Sequence, residues 1–229
     1  MPPAAEYERP YYNSTPRRCD EKNDHLTAHV LFDTRMSKID DFCGSETPPQ
    51  LMSTQTFLTL EFIAKSPISV RESSRSDKKY RFLLHYKFVR DLDMQDMKAA
   101  RNPNKVCGFI FNSSQATNGT LWSPNYPGYY PRQTECDYVF HGNEHEVVRI
   151  YFTYFDVEGY SQCNDDTKSD FVIFSNYQTH DRTNRRYCGT MTPLGEAIMS
   201  ESNYFRMIFK SNGIFDATGF FARYQFVKP

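Results

Sequence analysis

Residues 121–131 read LWSPNYPGYYP, and three prolines with a central Pro127-Gly128 rule out a helix here. Proline fixes φ and removes an amide donor, whereas glycine tolerates positive φ at a turn. The stretch is a rigid, aromatic-rich loop carrying Trp122, Tyr126, Tyr129 and Tyr130, and Cys136 pins its exit. Tyr and Trp dominate binding hot spots, so this cluster is a candidate contact surface. Aromatic loops also close the open end of small sandwich cores, and both roles stay open.

Working outward, the loop is flanked by apolar segments at 107–111 (CGFIF) and 136–140 (CDYVF), a strand–loop–strand arrangement. Residues 146–155 (EVVRIYFTYF) place Val148, Ile150, Phe152 and Tyr154 on one face, the alternation of a half-buried strand. Residues 170–174, 204–209 and 219–227 repeat the pattern between turn residues. Short strands at this spacing indicate a β-sandwich. Upstream, 26–32 and 58–63 read as strands, the latter with Leu58, Leu60 and Phe62 on one side, and 82–89 (FLLHYKFV) reads as another. Residues 66–79 are charged and Ser-rich, an exposed loop. No stretch carries helical periodicity, so the expected class is all-β.

The chain repeats itself. Cys43-Gly44 parallels Cys188-Gly189, His85–Val89 (HYKFV) parallels Arg223–Val227 (RYQFV), and Cys19 stands where Cys163 would. A period of about 140 residues is too long for a solenoid and means two copies of one domain. The first copy lacks a counterpart of SPNYP and of the Cys107/Cys136 pair. The expected organisation is a loose arm at 1–18, a partial unit at 19–90, a polar linker at 91–106 and a complete domain at 107–229. A half-sandwich exposes its inner face and strand edges, so the first unit should be the less stable one.

The composition excludes several classes. A formal net charge of −1 over 229 residues argues against nucleic-acid binding and against charge-driven membrane attraction. Hydrophobic residues make up 39% and aromatics 16%, enough for a core and weighted toward strands. Six cysteines without a C-x-x-C disfavour zinc ribbons and thioredoxin-type redox motifs, and their spacing alone leaves the connectivity open. Sequons at Asn13, Asn112 and Asn118 favour a secreted context, although Pro16 makes the first a poor acceptor. Residues 1–12 carry no basic and apolar regions of a signal peptide, and no apolar run is long enough to span a bilayer. The expectation is a piece of a longer secreted or membrane-anchored protein.

His145-Glu146-Val147-Val148-Arg149 begins like the zinc-protease HExxH but ends in Arg, on a turn and strand where residues four apart do not share a face. No G-x-S-x-G, P-loop or Rossmann glycine pattern occurs. Catalysis is not expected.

Taken together, SPNYPGYYP, FDVE ahead of a cysteine, YCG, and FKSN followed by GF resemble the CUB domain, an extracellular β-sandwich binding module. The resemblance covers 107–227 well and 19–89 in part. It implies disulfides Cys107–Cys136 and Cys163–Cys188, with Cys19–Cys43 matching the latter. It also implies a calcium site at one end of a jelly-roll-like antiparallel sandwich. The matching positions are Tyr130, which would orient a carboxylate, and Glu158, Asp170 and Asn212. Calcium takes several hard oxygens, mostly carboxylate. Asn212 stands where the family has Asp, which removes a charge. Asp166 competes with Asp170 for its role, and Asp170 is preferred because it opens the strand DFVIF. The alternative is that these acids are solvated loop carboxylates. In the family such a rim takes a Lys or Arg of a partner protein, and Asp216 is a further rim acid. The first copy keeps only Asp24 and should not bind calcium this way. The implied function is calcium-assisted, non-catalytic recognition of another extracellular or membrane protein, without membrane insertion. The style is similar to suppressor-of-lurcher and Neto-like receptor auxiliary subunits; the alternative is a CUB arm of a secreted astacin- or tolloid-type protease.

Overall fold

The structure, a computed structural model, describes residues 19, 23–65, 82–159, 163–179, 184–189 and 191–229. Its first strands are β1 (His25–Phe32), β2 (Arg35–Phe42), β3 (Leu58–Ile63), β4 (Ala100–Arg101), β5 (Gly108–Asn112) and β6 (Asn118–Trp122). They are followed by β7 (Glu135–His141), β8 (Val147–Asp156), β9 (Phe171–Ser175) and β10 (Arg186–Tyr187). The last are β11 (Ala197–Met199), β12 (Tyr204–Lys210) and β13 (Gly219–Val227). The expected all-β class is observed.

The second unit is a sandwich of two sheets, ordered β10-β9-β12-β7-β5-β4 and β11-β8-β13-β6. Pairing is antiparallel except between β5 and β7, where Gly108 to Asn112 run parallel to Asp137 to His141. The chain leaves the first sheet after β5, builds β6 in the other and returns as β7. That crossover supplies the long connection a parallel pair needs. Val148, Ile150 and Phe152 of β8 are buried as expected, with Phe220, Ala222 and Tyr224 of β13, but a register shift opposite Phe221 and Ala222 turns Phe155 inward in place of Tyr154, which packs against Tyr126. Aromatic rings bridge the layers, with Phe209–Phe220 centroids 5.7 Å apart and Phe111–Tyr224 4.9 Å apart.

Cys107–Cys136 and Cys163–Cys188 are bonded in this sandwich, and Cys19–Cys43 in the first unit, the pairing the resemblance implies. The stretch expected as a linker differs. Met94 and Met97 are buried in the sandwich core and β4 extends its six-stranded sheet. The segment is polar overall, yet two unbranched thioether side chains suffice to anchor it. The sulfur of Met94 lies 3.8 Å from Cys107 Sγ.

The first unit is a three-stranded sheet, β2-β1-β3, with Ala28 and Val30 buried beneath it. Residues 82–89, expected as a strand, form no strand and join none of the described sheets. Strand β2 was not anticipated, because RMSKIDDF alternates without a strongly apolar side. The turn at Asp33-Thr34 folds it back on β1, with Asp33 at φ 51°.

Candidate functional site

The loops that open β9 and follow β12 meet the aromatic loop at one end of the sandwich. Tyr130, Glu158, Asp170 and Asn212 converge there. The Tyr130 hydroxyl donates to Asp170 Oδ2 at 2.6 Å and accepts the Glu158 amide at 3.0 Å. The Asn212 amide donates to Asp170 Oδ1 at 2.5 Å. The Asp170 amide donates to Glu158 Oε2 at 3.2 Å, and the same oxygen accepts Asn212 Nδ2 at 3.1 Å. Asn212 Nδ2 also donates to the Lys168 carbonyl at 3.0 Å, while its Oδ1 accepts the Ile214 amide at 2.6 Å. Four loop segments are thus joined through the side chains of Tyr130, Glu158, Asp170 and Asn212.

The electrostatics follow from burial. Asp170 is fully buried, and burial pushes its carboxyl up from 3.8 to about 7. The donors Tyr130 and Asn212 pull the other way, and the negative charges of Glu158 and Asp216 add to the rise. Burial likewise lifts the Tyr130 hydroxyl well above 10, helped by the Asp170 charge. Desolvation disfavours the charged form of both groups, so Tyr130 acts as a neutral donor.

The other candidates lie elsewhere. Asp166 is exposed in an Asx turn where its amide donates to Asn164 Oδ1 at 3.1 Å. Asp216 is not a free rim acid. Arg132 binds it through Nε at 2.9 Å and Nη2 at 2.5 Å, with side chains 1% and 7% exposed. Sequence reasoning missed Arg132, because nothing in a single sequence separates a buried arginine from a solvated one. The same guanidinium donates to Ser37 Oγ at 2.6 Å and to the Lys38 carbonyl at 3.0 Å, tying β2 of the first unit to this end of the sandwich. Beside it, Asn125 Nδ2 and the Tyr129 amide donate to the Gln50 carbonyl at 3.0 and 2.9 Å. Gly128 is required at that seam, since a Cβ there would collide with the Gln50 carbonyl.

Of the aromatic cluster, Tyr130 closes the core. Trp122 and Tyr126 instead pack on Phe221 on the outer face, at 6.2 and 5.5 Å between centroids. Asn112 and Asn118 are exposed on β5 and β6, as glycan acceptors must be, and Asn13 lies outside the described residues. His145 sits exposed in a turn with φ 65°.

Next to the convergent acids is a cleft of about 280 Å³ lined by Asn164, Asp165, Lys168, Arg186, Lys210 and Asn212. Arg186 pairs with Asp165 at 2.6 Å and lies over the Phe171 ring at 4.4 Å. The charge of the cleft is predominantly basic.

The arrangement does not fit a resident calcium ion. The convergent set holds two carboxylates, whereas the ion takes about six to eight oxygens and binds more weakly as ligand charge falls. Both Asp170 oxygens already accept donors, and Asn212 presents its N–H rather than its oxygen to Glu158. Among the described residues no three His, Cys, Asp or Glu side chains cluster closely enough to hold a metal.

The CUB domain family model matches residues 107–224. Rat cubilin is 27% identical over 215 residues, covering 93% of this chain and 5% of cubilin. Human tolloid-like protein 2 is 28% identical over 204 residues, covering 81% of this chain and 19% of that protein. This chain therefore spans a small part of the length of the relatives it matches. Among solved structures, the MASP-1 CUB2 domain bound to calcium is 24% identical with a TM-score of 0.41, over 51% of this chain and 96% of that one. The family match runs from the first cysteine of the sandwich to Tyr224 on its last strand, across the loops that converge at Asp170, and the chain belongs to the CUB domain family.

Proposed function

We propose that this chain is a non-catalytic recognition module of an extracellular or cell-surface protein, binding another protein through the loop end of the 107–229 sandwich. The observation that carries the reading is the joining of four loop segments through Tyr130, Glu158, Asp170 and Asn212. Loops held in one geometry lose little entropy on binding, which is what a recognition surface requires. Three disulfides suit an oxidising compartment. The family that matches residues 107–224 is a binding module.

The charged groups at this end are Glu158, Asp165 and the basic lining of the cleft, Lys168, Arg186 and Lys210, of which Arg186 pairs with Asp165 and Lys210 with Glu135. A partner that desolvates them gains specificity from complementary charge. Asp216 takes no part, being held by Arg132, and the acidic grip on a partner's Lys or Arg reduces to Glu158. Calcium assistance, which the family resemblance implies, has no step in this reading. The parent we favour is a receptor auxiliary subunit. A CUB arm beside an astacin-type protease is the alternative, consistent with the likeness to tolloid-like protein 2, and an HExxH motif elsewhere in the parent gene separates the two.

The test is surface plasmon resonance of the full oxidised chain against a panel of recombinant membrane-protein ectodomains. Saturable binding that falls at least about tenfold in the Lys168→Glu, Lys210→Glu double variant, with an unchanged melting temperature, supports the reading; tenfold corresponds to about 1.4 kcal/mol. Binding indifferent to those reversals and to Glu158→Ala counts against this surface. Absence of any binder across the panel counts against the recognition role.

A further inference from the structure

We infer that the Asn212 carboxamide holds this loop end closed in the place of a bridging cation, so that the module is metal-independent and becomes a calcium site only when residue 212 carries a carboxylate. The inference deepens the recognition reading, since it names what keeps the proposed surface rigid.

The hydrogen bonds fix which way the amide faces. Nδ2 points at two acceptors, Glu158 Oε2 at 3.1 Å and the Lys168 carbonyl at 3.0 Å. Oδ1 points at a donor, the Ile214 amide at 2.6 Å. A carboxamide has two N–H donors on one side and an acceptor on the other. Turned over, it would set N–H against N–H at Ile214 and oxygen against oxygen at Glu158. The orientation is therefore dictated by its surroundings rather than by choice of label.

This geometry does the work of a cation. A bridging ion would sit between the Glu158 and Asp170 loops and neutralise them. Here the Asn212 side chain reaches Glu158 while its own backbone amide reaches Asp170 Oδ1. One residue thereby joins both acids, and adds the 163–170 loop through Lys168, whose backbone is left-handed at φ 51°. Hydrogen bonds to a charged acceptor are stronger than neutral ones, which suits a neutral amide to this task. Of the neighbouring acids, Asp166 lies exposed in its Asx turn, outside the convergent set. Asp165 is engaged by Arg186 and Asp216 by Arg132. Aspartate at position 212 would instead put a third carboxylate against Glu158 and Asp170. A divalent cation relieves that repulsion, and oxygen-rich sites take it as calcium.

The full oxidised chain is melted in chelator and in millimolar calcium, and terbium luminescence sensitised by Tyr130 reports metal entry directly. The native protein is expected to melt at the same temperature in both, within about 1 °C, and to give no sensitised terbium signal. Asn212→Asp should melt lower in chelator, recover by about 5 °C or more in calcium and sensitise terbium. Asn212→Ala should melt lower than native in both. A calcium-dependent rise in the native melting temperature, or native terbium luminescence, overturns the inference. So does an Asn212→Asp variant that folds yet ignores calcium. None of these readouts involves a partner, so the inference can fail while recognition stands, and the converse holds.

Discussion

The sheet β2-β1-β3 and the segment β10-β9-β12 of the sandwich are the same construction in different company. In each, a strand follows an aspartate, Asp24 before β1 and Asp170 before β9, and is paired on both sides. In each, that aspartate accepts a backbone amide from beyond the third strand, Lys65 at 2.7 Å and Asn212 at 2.5 Å. Each carries a disulfide of like spacing, Cys19–Cys43 and Cys163–Cys188, separated by 24 and 25 residues. The difference lies at the far edge. Strand β12 continues into β7, whereas the outer edge of β3 has no neighbour among the described strands.

The consequence is sharpest in the repeated motif. Tyr224 and Phe226, on a strand paired with both β8 and β6, are 1% and 7% exposed. Their counterparts Tyr86 and Phe88 are 82% and 91% exposed in a segment that joins no sheet. Alternating apolar residues make a segment able to pair and bury; only partner strands and an opposing layer make it do so. The outer strand β3 tells the same story: Leu58 and Phe62 were expected inward and are exposed, while Ala28 and Val30 on the central strand of that face are buried.

The largest effect should come from truncating one ring in each half. Phe220→Ala removes a fully buried side chain that contacts Tyr138, Phe152 and Phe209. It is expected to cost about 3–5 kcal/mol in chemical denaturation. Phe88→Ala removes an exposed ring and should fall within about 0.5 kcal/mol. Comparable losses would mean that residues 82–89 are buried in solution and would break the contrast. Hydrogen exchange sharpens it: amides of β1–β3 should open before those of β7 and β12, because fewer buried contacts guard them.

Arg132 comes next, because it joins the halves. Arg132→Ala leaves the Asp216 carboxylate buried without its countercharge and frees β2 from the sandwich. The expected cost is about 3 kcal/mol, at the low end for breaking a buried pair. Hydrogen exchange in residues 35–42 should accelerate while β7 and β12 stay protected. Adding Asp216→Ala should recover part of the loss by removing the stranded charge. If the single variant loses nothing and β2 exchanges as before, the seam is not what holds the first unit in place.

Legibility in the sequence divides along the same line. Strands β1, β3, β5, β7, β8, β9, β12 and β13 were legible as short apolar segments between turn residues, and the sandwich turns those of the second unit into burial. Strand β6 did not: NGTLW lies among turn residues, and its place depends on pairing with Arg223 and Gln225 of β13. At the site, Tyr130, Glu158, Asp170 and Asn212 stood out as motif positions, and the structure brings them together. What the residues alone could not disclose was orientation. That Asn212 turns its N–H toward Glu158, or that Asp216 is consumed by Arg132, depends on atoms supplied by distant segments.

The last effect is read as a slope with pH, and it falls on Asp170. The folded-state value of Asp170 is raised from 3.8 to about 7, chiefly by burial. A carboxyl raised in this way holds its proton more tightly folded than unfolded. Its contribution is fully present below about 4, falls as pH rises, and is gone above about 7. For a single group the slope is at most about 1.4 kcal/mol for each pH unit. Stability measured in chelator should therefore decline between pH 4 and pH 7 against the background of the other acids, and Asp170→Asn should flatten that component. If Asp170→Asn leaves the slope intact, the hydrogen bonds from Tyr130 and Asn212 outweigh burial and the carboxylate is ionised throughout, as two donors on its two oxygens would favour.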